Sequence, residues 1–420
     1  MRRLISLVGV AALLLCLPMA GAWAEELERD AEIKELKERL EKLERQAGGE
    51  KDEGGVLSKI DISGFVTAVA QGSSGNGGGD DLGGNVSADL YISARPTEAG
   101  TVGLHFDMCR GSGLSGLPRT GFETGRFAST LLGGPNADLE YNSDIPHLVE
   151  AWYEHALLDE KVVFTFGLLD PTVYFDANAF ANDERLQFLA DAFVNNPGID
   201  WGGDANFYGP GLRLTVAPAE WLDLSVGAFA TKSVATIAEE QDEVLGFDNE
   251  FDKPMTIVEV NFKPNLLGRE GNYRFYGWYN ANVTRFNVDG EPVKSSWGGG
   301  GSFDQMLTDR LGAFLRWSKQ DPAVRQLDFH VSGGLSATGA IPARPNDVAA
   351  IGYAVGWASD QFRRSGHCDG TEKTEQWLEA YYSVAVTQHF YLTPDIQYVI
   401  NPCLDDDSFV ILGLRANATF

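Results

Sequence analysis

The sequence predicts an all-β fold, a closed antiparallel β-barrel of sixteen transmembrane strands that follows a short N-terminal coiled-coil helix. Segments in which apolar and polar residues alternate recur from residue 60 to the end of the chain, as in half-buried strands. The connections alternate between short turns and long polar loops, which is the asymmetry of an outer-membrane barrel. After the first 24 residues, no apolar run approaches the ~20 residues of a spanning helix.

The first 24 residues have the organisation of a secretory signal peptide. Arg2 and Arg3 precede an apolar run over 4–17, and an Ala-Trp-Ala motif ends at Ala24. This order of a basic start, an apolar centre and small residues at the end predicts export and cleavage after Ala24.

A charged segment over 25–46 has apolar residues at the three-four spacing of a coiled coil, and a polar, glycine-containing linker over 47–59 follows it. Two heptads are marginal as an isolated helix in water. The segment therefore predicts association between copies, with a homotrimer as the expected oligomer. A periplasmic spacer that contacts peptidoglycan fits the same pattern equally well. The apolar positions are Ile33, Leu36, Leu40 and Leu43.

Sixteen alternating segments follow the linker, and each is close to the ~9–11 residues of a tilted membrane strand. The tenth segment is the weakest, because four consecutive glycines interrupt it. An even number of strands places both ends of the barrel on the periplasmic side. The expected strands are 60–71, 86–95, 101–109, 148–157, 161–169, 208–217, 221–230, 255–263, 272–283, 296–307, 310–318, 326–337, 349–358, 375–387, 391–400 and 409–420.

One connection is too long to be an ordinary loop of a compact domain. It covers 170–207, between the expected strands at 161–169 and 208–217. We interpret it as a loop that folds into the lumen and narrows it. The expected barrel domain is therefore 60–420, with a constriction loop at 170–207.

Side-chain parity assigns each strand a lipid face and a lumen face. In the last strand, Val410, Leu412 and Leu414 share one face, whereas Arg415 and Asn417 share the other. A charge at the bilayer midplane costs ~2–4 kcal/mol on the lipid side, so the charged face should be the lumen. Because sixteen strands enclose an aqueous channel, we expect a wet and charged interior. The same test turns inward Arg213, Glu259, Lys263, Arg274, Tyr276, Trp278, Arg316, Asp328, Glu379, Tyr381 and Asp395.

Three cysteines remain once the signal peptide is removed, Cys109, Cys368 and Cys403. An exported chain enters an oxidising compartment, where one pair and one free thiol are expected. The predicted topology puts Cys368 and Cys403 in neighbouring outer loops. We therefore predict a disulfide between these two residues.

The chain is strongly acidic, with 33 Lys and Arg against 60 Asp and Glu and a formal net charge of −27. This charge argues against nucleic acid as a partner. Two interpretations of the acidity remain open: a well-solvated surface, or a pore mouth that attracts cations. The sequence contains no motif that predicts a metal site or a cofactor.

Several stretches resemble the carbohydrate-selective porins of the OprB type. The similarity is strongest in FGLLDPTVYFDANAFANDERLQFLADAFVNNP from Phe166 and in GPGLRLTVAPAEWLDLSVGAF from Gly209. The resemblance covers most of 60–420 and implies a porin of the Gram-negative outer membrane, in contact with lipid and lipopolysaccharide, that passes small sugars. It also implies an inward-folded third loop, whose positions here include Asp176, Asn178, Asp183, Glu184, Arg185 and Asp191.

Sugars present hydroxyl groups, which charged side chains bind, and apolar ring faces, which aromatic rings contact. We therefore expect a binding strip along the lumen. The arginines have a second interpretation, in which they pair with loop carboxylates and hold the loop inside. Trp152 and Trp278 have another, as packing under loops. The candidate pore-lining residues are Arg213, Arg274, Arg316, Arg415, Trp152, Tyr276, Trp278, Glu150, Glu154, Glu259 and Glu379.

Catalysis is not expected, because the six histidines lack a GxSxG or HExxH pattern beside them. The predicted function is passive diffusion of small carbohydrates through a water-filled pore. A general or cation-preferring porin is the alternative with the same architecture. A structural tether between the outer membrane and the cell wall, made by 25–46, is the alternative from another class.

Overall fold

The computed structural model is a closed barrel of sixteen antiparallel strands, as the alternating segments predict. Strands that follow one another in the chain are paired, and the first strand closes the barrel by pairing with the last. The predicted signal peptide, coiled-coil helix and linker lie outside the residues that the structure describes. The described residues are 60–75, 82–111, 114, 146–201, 208–231, 253–266, 268–281, 295–323, 326–365, 368 and 370–420.

The strands differ from the predicted segments mainly at their ends. They are β1 (Ile60–Gly75), β2 (Leu82–Ala94), β3 (Gly100–Gly111), β4 (His147–Leu157), β5 (Val162–Leu169), β6 (Gly209–Ala219), β7 (Leu222–Phe229), β8 (Met255–Phe262), β9 (Arg269–Asn280), β10 (Ser296–Met306), β11 (Leu311–Gln320), β12 (Leu327–Thr338), β13 (Val348–Ala358), β14 (Thr374–Ala385), β15 (Phe390–Ile400) and β16 (Ser408–Thr419). A two-residue segment, Asn265–Leu266, pairs with the start of β9. The described parts of the loops contain two short helices, α1 (Asp191–Val194) and α2 (Asp360–Ser365). Within the described ranges, no helix has the length and apolar character needed to cross a membrane.

The strands form because their side chains alternate between an apolar face and a polar face, which a pleated strand separates. In β5, Phe164 and Phe166 are 37% and 46% exposed, whereas Thr165 between them is buried on the inner face. Apolar side chains exposed in this way cover the outside of the barrel, where lipid solvates them. Others are Ile62, Val66, Val102, Leu212, Val258, Leu315, Ile351 and Leu378.

The first outer connection is shorter than predicted. β1 and β2 stay paired from Ile60 opposite Ala94 to Gly72 opposite Leu82. The connection is therefore 76–81 instead of 72–85. The added strand residues are mainly glycine and serine, and the alternation of apolar side chains does not mark them.

The prediction that Asp328 faces the lumen is wrong. The pairing of β12 with β13 changes register between Leu327 and Phe329, which is a β-bulge. A bulge inserts one residue and so breaks the parity of the strand. Asp328 is half-buried on the outer face, where its carboxylate lies 2.6 Å from the ammonium of Lys319.

Part of the lumen is apolar, which differs from the expectation of a wet and charged interior. The Phe188 ring centroid lies 4.8 Å from that of Phe193, 5.5 Å from Phe314 and 5.2 Å from Tyr381. Two of these rings belong to the long loop after β5 and two belong to strands. The open cross-section of the lumen is therefore smaller than a barrel of sixteen strands would enclose if it were empty. The cluster continues toward the outer loops through Phe362, Trp377, Leu404 and Phe409.

The glycine-rich strand β10 makes room for aromatic rings of β9. A Cβ at Gly298 would lie 2.5 Å from the Trp278 ring, and one at Gly300 would lie 2.9 Å from the Tyr276 hydroxyl. Both rings are buried inside the barrel. The four glycines weaken the strand propensity, and the space that they leave compensates for it.

A disulfide joins Cys368 and Cys403, whose Cα atoms are 5.4 Å apart. It links the loop between β13 and β14 to the loop between β15 and β16. The Cys403 N–H also donates a hydrogen bond of 3.0 Å to the Glu375 carboxylate at the start of β14. The third cysteine, Cys109, is buried in β3, where the Asn85 amide lies 3.7 Å from its sulfur.

Replacing Gly298 with alanine should destabilise the barrel by about 1–3 kcal/mol, because the new Cβ would overlap the Trp278 indole. Gly277→Ala is the matched control, since a Cβ there meets no atom nearer than 3.9 Å. The measurement is the urea midpoint of each refolded variant. Equal midpoints for the two variants would contradict this explanation of β10.

Peptide mapping of the non-reduced protein should recover one cross-linked pair of fragments, joined through Cys368 and Cys403. We expect the pair in protein isolated from membranes and its disappearance after treatment with dithiothreitol. Alkylation of both thiols without a reductant would show that the two outer loops are not covalently joined.

Candidate functional site

The third long loop crosses the inside of the barrel. Its described part, 170–201, begins with a helical turn, Pro171–Val173. The Asp170 carboxylate caps this turn by accepting hydrogen bonds from the Thr172 N–H and hydroxyl, at 2.8 Å and 2.7 Å. Further along, side chains of the loop reach β2 on one side and β10 on the other. The loop is therefore attached to distant parts of the barrel wall.

Arg316 of β11 is the principal anchor of this loop. Its buried guanidinium donates hydrogen bonds to the Asp176 carbonyl at 2.8 Å, the Phe193 carbonyl at 2.5 Å and the Asn182 side chain at 2.6 Å. It also lies 3.2 Å from the Asp176 carboxylate. Because these partners are spread over 176–193, one side chain fixes both ends of the inner part of the loop.

Two further buried ionisable side chains hold the middle of the loop. The Glu379 carboxylate of β14 accepts hydrogen bonds from two consecutive loop amides, at 2.6 Å and 2.9 Å. Arg415 of β16 donates to the Glu184 carbonyl and, at 2.8 Å, to the Gln187 carbonyl. Buried charges are stable when hydrogen bonds satisfy them in this way.

The first half of the loop is attached to β8, β9 and β10. The Asp176 N–H donates to Glu259 at 2.9 Å, and the Asp176 carboxylate accepts a hydrogen bond from the Tyr276 hydroxyl at 2.8 Å. Asn178 donates to the Ser302 hydroxyl at 3.1 Å. The end of the described loop packs on the same wall in an apolar cluster that contains Tyr276, Trp278, Ile199 and Trp201.

A chain of alternating charges joins the loop to β2, β3 and β4. Arg185 of the loop donates two hydrogen bonds to Asp89, at 3.1 Å and 2.7 Å, and lies 3.3 Å from Glu184. The ring nitrogens of His105 lie 2.9 Å from Asp89 and 3.1 Å from Glu150. The contacting side chains follow one another in the order Glu184, Arg185, Asp89, His105 and Glu150.

Both ring nitrogens of His105 face carboxylates, which accept hydrogen bonds and do not donate them when ionised. We therefore infer that the imidazole carries a proton on each nitrogen. Burial opposes the charge on Arg185, yet the neighbouring carboxylates of Glu184 and Asp89 hold its pKa well above its ordinary value. This chain of charges thus contains two cations and three carboxylates, and a carboxylate stands at each of its ends.

A pocket of about 290 Å³ lies between this chain of charges and the loop. The Trp152 indole packs against Gly103, where a Cβ would lie 2.3 Å from the ring. Tyr91 is stacked on His105, with ring centroids 4.1 Å apart. The pocket therefore presents aromatic faces and ionised groups together. Its lining includes Glu150, Trp152, Tyr174, Glu184, Arg185 and Tyr208.

Two candidate arginines contact strand carboxylates instead of the loop backbone. Arg213 of β6 lies 3.6 Å from Glu154 of β4, and its guanidinium carbon is 4.8 Å from the Tyr174 ring centroid. Since Tyr174 lines the pocket, this pair lies beside it. Arg274 of β9 lies 2.6 Å from Asp304 of β10.

The structure thus divides the residues that the sequence marked as pore lining. Glu150 and Trp152 border the pocket, and the pair of Arg213 and Glu154 is next to it. Arg274 is paired on the wall formed by β9 and β10. The remaining candidates lie under the loop and contact it or pack below it: Arg316, Arg415, Tyr276, Trp278, Glu259 and Glu379.

The candidate loop residues are also divided. Glu184 and Arg185 border the pocket, whereas Asp176 and Asn178 are buried against the wall. Two others serve the fold of the loop itself. The Asp183 carboxylate accepts a hydrogen bond of 2.9 Å from the Arg185 N–H, and Asp191 begins α1. A role of any of these residues in sugar binding stays a prediction.

Three residues that matter at the pocket were not among the candidates: His105 and Tyr174 line it, and Asp89 contacts His105 and Arg185 beside it. Parity places Asp89 and Tyr91 on the inner face of β2, and this was the signal available in the sequence. The contact that gives Asp89 its role is with Arg185, 96 residues away. A periodic pattern within one strand carries no information about such a partner.

A closed sixteen-stranded barrel with a long loop anchored inside it defines the class of outer-membrane porins. The family model of the carbohydrate-selective porins, the OprB family, matches residues 63–420. The chain belongs to this family, and it is a carbohydrate porin of the Gram-negative outer membrane.

Solved porin structures share the fold. The high-pH structure of Pseudomonas putida OprB is 20% identical, with a TM-score of 0.72 over 87% of this chain and 95% of that chain. The outer membrane channel DcaP of Acinetobacter baumannii is 13% identical, with a TM-score of 0.53 over 86% and 97%. These identities establish similarity of fold. A search of curated proteins finds no significant match.

Replacing Arg316 with alanine should lower the free energy of unfolding by about 3–5 kcal/mol, because the buried Asp176 carboxylate would lose its cation. We expect the loop to leave its position, and single-channel conductance in planar bilayers to rise and fluctuate. Arg274→Ala is the matched control, since this inward arginine pairs with the strand residue Asp304. Wild-type conductance in Arg316→Ala would mean that other contacts are sufficient to hold the loop.

Proposed function

We propose that small sugars cross the barrel by passive diffusion through the pocket beside the third loop. The supporting observation is one cavity that combines the aromatic rings of Trp152 and Tyr174 with the ionised side chains of Glu150, Glu184 and Arg185. A pyranose ring presents hydroxyl groups at its edge and C–H groups on its faces. Such a cavity can bind both at the same time.

In this proposal the charged candidates have two separate roles. Arg213 and Glu154 line the path next to the pocket, and Arg274 lines the wall formed by β9 and β10. The other buried ionisable side chains position the loop that narrows the path, because each of them binds a loop backbone group. These positioning residues are Arg316, Arg415, Glu259 and Glu379.

A general or cation-preferring porin is the second candidate. The formal net charge of −27 favours it, because a strongly acidic chain attracts cations to its surface and mouth. This alternative requires no binding of sugar in the pocket. It predicts an ion current that sugars do not block and that potassium carries in preference to chloride.

We propose further that the outer surface contacts membrane lipid and lipopolysaccharide, and that copies associate through 25–46. Contact of this segment with peptidoglycan, as a spacer or as a structural tether, is the alternative. Deletion of 25–46 separates the two, since loss of envelope integrity with normal sugar uptake would indicate the tether. Diffusion through the pocket involves no chemistry on the sugar, and we propose no catalytic role.

Titration of the single-channel current with glucose and with maltose tests the sugar path. We expect a saturable block in KCl. Trp152→Ala should weaken the block by up to about tenfold, because an aromatic contact contributes about 0.5–1.5 kcal/mol. Trp297→Ala is the matched control, since this indole is 51% exposed on the outer surface.

The same recording distinguishes the alternatives. A current that neither sugar blocks, with strong preference for potassium, would favour the cation-preferring pore. Equal weakening of the block in Trp152→Ala and Trp297→Ala would indicate a general effect on the barrel and would argue against the pocket.

A further inference from the structure

The charged side chains at the pocket contact one another, and carboxylates outnumber cations among them. Arg185 and His105 both contact Asp89, which is not among the residues that border the cavity. Glu184 and Glu150, at the two ends of the chain of charges, do border it. Arg185 and His105 border the cavity as well, but each contacts Asp89 and one of the two terminal carboxylates.

The nitrogens of both cations already contact carboxylates of the protein. Arg185 uses two nitrogens on Asp89, and its third lies 3.3 Å from Glu184. Both nitrogens of His105 are engaged by carboxylates. An anion that enters the pocket must displace one of these carboxylates before it can bind a cation.

The carboxylates outnumber the cations among the described residues around the pocket. Asp170 also borders the cavity, and with Glu150, Glu184 and Asp89 it makes four carboxylates against Arg185 and His105. Arg213, which lies beside the lining residue Tyr174, is already paired with Glu154 at 3.6 Å. An excess of negative charge thus remains at the narrow part of the proposed sugar path.

We propose that this pocket favours sugars that carry a positive charge, such as amino sugars, over neutral sugars, and excludes anionic sugars such as uronates and sugar phosphates. The inference rests on the proposed path of sugars through the pocket. An ammonium group can donate to Glu184 or Glu150, and hydrogen bonds between charged partners are about twice as strong as neutral ones. An anionic sugar meets like charges in a confined, partly desolvated site.

Three monosaccharides of similar size separate charge from shape: glucosamine, glucose and glucuronate. At about pH 6 the first is a cation and the last is an anion, because amino groups titrate above this pH and carboxyl groups below it. Entry of each labelled sugar is measured into liposomes that contain the full-length protein, at low salt and with a permeant counter-ion. We expect permeability to fall in the order glucosamine, glucose, glucuronate, with about tenfold between the first and the last.

Two substitutions test the terminal carboxylates. Glu184→Gln removes the charge and keeps the backbone carbonyl that Arg415 binds. It should lower the ratio of glucosamine entry to glucuronate entry by about threefold or more. Glu150→Gln tests the other end of the chain in the same way. Glu270→Gln is the control, because this exposed residue of β9 lies away from the pocket and its loss changes the net charge equally.

Each outcome has a definite meaning. Equal entry of the three sugars, or an unchanged ratio in both Glu184→Gln and Glu150→Gln, would overturn the charge preference and leave the sugar path standing. Entry of no sugar above the level of protein-free liposomes would overturn the path and the preference together. A fall in the ratio that Glu270→Gln reproduces would assign the effect to the acidity of the whole chain and overturn the role of the pocket.

Discussion

A chain segment that enters a barrel must have its backbone polar groups satisfied by the wall, and buried charges on the strands do this for the third loop. Arg316, Arg415 and Glu379 come from three different strands, and each binds main-chain atoms of the loop. Contacts to the main chain determine the path of the loop, so side chains of the loop that are not used in these contacts can line the lumen. Glu184 and Arg185 can therefore face the lumen.

The path of the loop gives the lumen two unlike halves. On one side, Phe188 and Phe193 complete an apolar cluster with the inner faces of the later strands. On the other side, the polar pocket is lined by residues of the loop and of β2, β3 and β4. The same segment thus closes one part of the cross-section and shapes the part that stays open. Selectivity can then depend on a few side chains, although sixteen strands contribute to the wall.

Sequence periodicity predicted the features that depend on a single strand. The number of strands, the inner and outer faces and the weak but real β10 all follow from alternation. Features that depend on a partner did not follow. Alternation assigns both Arg213 and Arg316 to the lumen face of their strands. The Arg213 side chain is nevertheless 17% exposed, whereas the Arg316 side chain is buried completely. Parity names the face of a strand, and it does not say what covers that face.

The error at Asp328 and the omission of Asp89 have the same origin. A bulge changes parity at Asp328 without any change in local hydrophobicity. Asp89 acquires its role from Arg185, which the fold brings to it.

The disulfide has a different kind of consequence. Cys368 and Cys403 are 35 residues apart and flank the hairpin of β14 and β15, so the bond closes a covalent ring around two complete membrane strands. A chain oxidised in the periplasm presents this hairpin to the membrane as one closed unit, whose two outer loops must be translocated together.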